Sequence, residues 1–83
     1  MRKPALPPLT ALRAFHAAGE RLSFLEAARE LGVTPSAISH QVRALEEWLE
    51  TPLFKRMAQR IEFTEAGKPF HRVLSAAFDG IAI

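Results

Sequence analysis

Three histidines, His16, His40 and His71, are the side chains best suited to catalysis or metal binding. None falls in an H-E-x-x-H pair or has a partner set suited to a metal. Ser39 precedes His40, but a catalytic triad is assembled by the fold, so this is adjacency only. The chain has no cysteine, which excludes disulfides, thiolate metal sites and a thiol nucleophile. Gly19, Gly32, Gly67 and Gly80 stand singly, so no phosphate-cradling loop is visible. The chain reads as a non-enzyme without cofactor or metal, with His16 and His71 as plain surface or boundary residues.

A different chemistry is visible between residues 34 and 60. Ser36, Ser39, His40 and Arg43 recur at i, i+3, i+4 and i+7, which places four hydrogen-bonding side chains on one arc of a helix. Ile38, Val42, Leu45 and Leu49 form the opposite, apolar stripe. Glu46, Glu47 and Glu50 are held back to the C-terminal end, so the first three turns carry no carboxylate. A helix that enters a major groove N-terminus first needs that arrangement, because carboxylates are repelled by phosphates. Lys55, Arg56 and Arg60 then follow in a stretch without an acid, suited to a phosphate backbone or a minor groove.

The elements that must position these residues follow from the punctuation. Leu9, Leu12 and Phe15 set a helical rhythm that predicts a helix over 9–20, ended or bent at Gly19. Ser23-Phe24-Leu25-Glu26 has the capping-box form, starting a second helix that stops at Gly32. Thr34-Pro35 supplies an N-cap and an N1 proline for a third helix running to about Leu49. A short glycine-containing turn between a small-residue helix and a longer one marks a helix-turn-helix. Leu53–Arg56 and Arg60–Phe63 alternate as a small hairpin. Thr64 caps a final helix on which Phe70, Val73, Leu74, Ala77, Phe78 and Ile81 form an apolar stripe. From Val73 onward that stripe is expected to outrun the core and to bury itself against a second copy of the chain.

Eighty-three residues allow one compact core. The 48% hydrophobic and 24% charged composition is that of a folding globular domain. Eleven Lys plus Arg against nine Asp plus Glu give +2, too little to identify a polyanionic partner, so placement of the charges decides. No apolar run approaches a membrane span, and no hydrophobic segment follows the basic opening, so a cytoplasmic location is expected.

Four stretches, in order, resemble the N-terminal DNA-binding domain of LysR-type transcriptional regulators: Leu9–Phe15, Ser23–Ala28, Val33–Glu46, and Leu53–Arg56 with Thr64-Glu65-Ala66-Gly67. The Pro7-Pro8-Leu9 opening and Glu46–Leu49 are most similar to the branch containing the glycine-cleavage and β-lactamase regulators. The resemblance implies a mainly α, winged helix-turn-helix domain over 1–63 and a linker or dimerisation helix over 64–83. It implies sequence-specific binding of double-stranded DNA at an imperfect palindrome by a homodimer. Thr34, Pro35, Ser36, Ser39, His40 and Arg43 are placed at the major groove, Ser23 at a phosphate, and Arg56 and Arg60 on the wing. A small-molecule effector is expected only through a C-terminal domain not present here, which makes the chain a fragment. Glu50 stands where that family usually has glycine, so a reshaped turn is expected; Pro69 predicts a bend or a late start in the last helix. A helical protein-interaction module without DNA binding is the alternative. A membrane-surface helix over Lys68–Ile81 is disfavoured, because Lys68 and Arg72 are its only cations.

Overall fold

The computed structural model describes residues 6–58 and 60–81. The start of the proline-containing lead-in and Gln59 at the hairpin tip lie outside the described residues. Helix α1 (Leu9–Arg21) is followed by α2 (Phe24–Leu31), α3 (Pro35–Leu49), strands β1 (Phe54–Arg56) and β2 (Ile61–Phe63), and α4 (Gly67–Ile81). This is the mainly helical, winged helix-turn-helix architecture expected from the sequence.

Each short helix is bounded by its own capping chemistry. The Ser23 hydroxyl accepts from the Glu26 N–H at 3.1 Å, and the Thr34 hydroxyl from the Ala37 N–H at 3.1 Å. Only half of the capping box forms. The Glu26 carboxylate turns outward to Arg29 at 2.9 Å, while the Ser23 N–H donates to the Ala18 carbonyl instead. Gly32 closes α2 in the left-handed region at φ 69°, and a Cβ added there would meet nothing within 4 Å. Substitution Gly32→Ala therefore tests backbone strain alone. It should lower stability by about 1 kcal/mol in urea unfolding, with an unchanged m-value.

Glu50 also adopts the left-handed region, at φ 56°, so α3 ends in a left-handed cap on a residue that carries a side chain. Helix α1 departs further from expectation. It does not end at Gly19 but runs to Arg21, with Leu22 as its left-handed cap at φ 50°. Gly19 is buried, and a Cβ there would overlap the His71 ring. Its glycine serves close approach of α4 to α1 rather than termination.

Phe15, fully buried, is the hub of the core. Its ring lies 5.2 Å from Phe54, 5.5 Å from Phe70 and 6.4 Å from Phe63, so one α1 side chain joins the wing and α4. Ala14, Ala17 and Ala18 with Ala27 and Ala28 supply the small surfaces on which α1 and α2 pack, while Ile38, Val42 and Leu45 turn α3 inward. The antiparallel wing pairs Phe54 with Phe63, Lys55 with Glu62 and Arg56 with Ile61. Two strands this short are marginal alone, and their stability comes from Phe54 and Ile61 entering the core.

Entry into α4 is tight. A Cβ at Gly67 would overlap the Leu53 carbonyl, which also accepts from the Thr64 N–H at 3.1 Å. The Thr64 hydroxyl caps the Gly67 N–H at 3.0 Å. Regular helix starts late, at Gly67, which puts Pro69 in its first turn, where a missing N–H is tolerated. The apolar stripe of α4 is divided, contrary to the expectation that everything from Val73 onward is uncovered. Leu74 is only 9% exposed, and Phe70 and half-buried Phe78 pack against the same core, Phe78 meeting the His16 ring at 5.0 Å. Val73 and Ile81, 69% and 73% exposed, and Ala77 face outward. Residues at i, i+4 and i+8 keep that outer face continuous while the other half of the stripe is used inside the monomer.

Candidate nucleic-acid interface

The N-terminus of α2, the outer face of α3 and the wing enclose a groove of about 350 Å³ lined by Ser23, Phe24, Ser39, Arg43, Arg56 and Arg60, with Leu25, Met57, Ala58 and Ile61. Five of the expected contact residues, from three separate elements, thus share one concavity. Thr34, Pro35, Ser36 and His40 are exposed at and beyond the N-terminus of α3. Lys55 is exposed on the wing opposite Glu62. The Ser23 and Thr34 hydroxyls accept capping bonds, and a hydroxyl that accepts keeps its own proton to donate. The first turn of α2 also presents its helix N-terminus to this groove, an arrangement that favours an anion.

The cations of the wing are less alike than their spacing suggests. Arg56 is held by the Glu46 carboxylate at 3.4 Å, and its guanidinium lies 5.4 Å above the Phe24 ring. Arg60 pairs with Glu62 at 3.0 Å in a much more exposed setting, where such a bridge exchanges readily for another anion. Arg56 therefore braces α2, α3 and the wing, and Arg60 is an exposed, paired charge lining the groove.

Glu46 is the functional residue that sequence reasoning undervalued. Its Oε2 accepts from the Leu53 N–H at 2.7 Å and the Phe54 N–H at 3.1 Å, while its other oxygen faces Arg56. One carboxylate thus ties α3 to the start of the wing and to Arg56, which lines the groove. His16 and His71 lie at the boundary of the core, as expected, and meet one another: their rings stack at 5.3 Å with 14° between planes, and Glu20 joins them. This cluster lies between α1 and α4, apart from the groove-lining residues.

The comparisons with known proteins agree with this geometry. The model described as bacterial regulatory helix-turn-helix protein, lysR family, matches residues 9–68. The chain belongs to the LysR family. This LysR-family domain is 50% identical over 82 residues to the transcriptional activator AmpR of Pseudomonas aeruginosa, covering 99% of the chain and 27% of AmpR. It is 49% identical over 65 residues to the glycine cleavage system transcriptional activator of Escherichia coli, covering 78% of the chain and 21% of that protein. The chain thus spans about a quarter of the length of these curated relatives. Its fold superimposes on the BenM DNA-binding domain, solved with benA site 1 DNA, with a TM-score of 0.82 and 30% identity over 89% of this chain and 83% of that one. It is a winged helix-turn-helix DNA-binding domain of LysR type. Among the described residues, no helix is long and apolar enough to cross a membrane.

Proposed function

We propose that this chain binds double-stranded DNA sequence-specifically as a homodimer, reading base edges with α3 and holding the backbone with Ser23 and the wing. The convergence of Ser23, Ser39, Arg43 and Arg60 on one groove carries the reading. Thr34, Pro35, Ser36, Ser39, His40 and Arg43 are assigned to the major groove, where an arginine fork matches guanine O6 and N7. Lys55 and Arg60 neutralise phosphates, and Arg56 acts mainly by bracing the wing. Residues 1–63 form the reading unit and 64–83 the linker and dimerisation helix, whose outward Val73, Ala77 and Ile81 pair two copies while Phe70, Leu74 and Phe78 secure it to its own core. Two-fold symmetry then calls for an imperfect palindrome with half-sites about one DNA turn, or a multiple, apart.

Relatives about four times as long support a regulator whose small-molecule effector site lies in another domain. Such a protein works in the cytoplasm, where its DNA is. No catalytic role is assigned to the domain, whose curated relatives are transcriptional regulators.

Arg43 and Arg60 separate reading from holding. Arg43→Ala should weaken a cognate site by about 1–3 kcal/mol and relax preference at one base pair, whereas Arg60→Ala should weaken all duplexes alike. Selection from a random duplex library followed by anisotropy titration measures both. An Arg43→Ala protein with unchanged sequence preference removes α3 from the role of reader.

A further inference from the structure

We propose that His16, Glu20 and His71 form a binding site for a divalent transition-metal ion of the zinc class, fastening α4 to α1. Their ligating atoms all lie within 4.8 Å of one another. His71 Nε2 is 3.2 Å from Glu20 Oε2, and His16 Nε2 is 4.0 Å from the same oxygen. Ligands at 2.0–2.2 Å from a tetrahedral ion stand about 3.4 Å apart, so the first pair already has the required separation, while the His16 ring must turn out of its stack on His71 for its lone pair to meet the same ion.

The donor set is the right kind for such an ion. Imidazole nitrogen with one carboxylate suits zinc and its neighbours, and leaves a fourth position for water or another small ligand. His16 and Glu20 are four residues apart on α1, so their side chains project over the same turn. His71 reaches them from α4 because Gly19 has no side chain in its path. The His16 carbonyl lies a further 3.3 Å from His71 Nε2. In the metal-free protein this nitrogen can hold a proton facing the two oxygens, and an ion bound there takes that proton's place. His71 is 14% exposed while Glu20 stays half open, so the cluster combines a sheltered ligand with an entry path. The ion acts on stability and on the angle of α4, not on the reading face of α3, so the proposal stands independently of DNA recognition.

Calorimetric titration of the chelator-treated protein with zinc chloride tests it, with thermal melting in parallel. One ion per chain is expected, and zinc at about 100 times its Kd should raise Tm by about 15 °C. His16→Gln, Glu20→Gln and His71→Gln should each weaken zinc binding about 100-fold and, at the same zinc concentration, cut the rise in Tm to about 2 °C. Circular dichroism confirms that each variant is folded, and the two α1 variants keep the test decisive if His71→Gln loosens α4. No zinc-dependent rise in Tm, undiminished uptake in the folded variants, or one ion per two chains overturns the site.

Discussion

Replacing Glu46 with alanine should cost the domain about 3–5 kcal/mol, a large share of the roughly 4–12 kcal/mol that a domain of this size possesses. The Glu46 side chain is only 11% exposed and serves three donors at once, the Leu53 and Phe54 amides and the Arg56 guanidinium. Alanine leaves two half-buried N–H groups and a cation without their acceptor, and each such loss is worth about 1–3 kcal/mol. Glu46→Gln keeps a carbonyl oxygen for the amides and loses only the charge facing Arg56, so it should cost about 1–2 kcal/mol. Urea unfolding of both proteins measures the difference. A loss below about 1 kcal/mol for Glu46→Ala would mean that the wing is held by Phe54 and Ile61 alone. Any folded Glu46→Ala protein should also bind DNA more weakly at every sequence, since the wing and Arg56 are no longer tied to α3.

Val73→Asp should produce monomers and lower affinity for a two-half-site operator by about 10²–10⁴-fold, the gain that linking two binding units confers. Val73 is 69% exposed and lies on the outer face of α4, so a carboxylate there leaves Phe70, Leu74 and Phe78 in place. Thermal stability of the monomer should change little, whereas pairing two such faces would bury the charge against apolar groups. Sedimentation and anisotropy on full and half operators read the two effects separately. Unchanged half-site affinity with lost full-site affinity is expected; a variant that remains dimeric would place the interface elsewhere.

The features legible in the sequence are those whose cause is local. The Ser23 and Thr34 caps, the Gly32 turn and the two faces of α3 each depend on residues within one or two helical turns, and periodicity reports them. The late start of α4 followed from Pro69 for the same reason. Features set by contacts across the chain were not legible. Gly19 resembles a helix breaker until His71 is seen above it, and His16 and His71 look isolated while they are 55 residues apart. Glu46 reads as one more surface acid because its partners lie beyond the reversal at Thr51-Pro52. The stripe on α4 was visible, but its division between core and outer face depends on the angle at which α4 crosses α1, which a single-helix pattern does not encode. On the wing, spacing showed three cations, but not that Glu46 had already engaged one of them.

Anisotropy of the unmodified chain on a mixed-sequence duplex, measured across a range of salt concentrations, is the most direct test of the groove as a DNA-holding surface. If each protomer neutralises about three phosphates, log affinity against log salt should fall with a slope near −5 for the dimer, because each contact releases condensed counterions. A slope indistinguishable from zero would contradict the account and leave α2, α3 and the wing without a polyanionic partner.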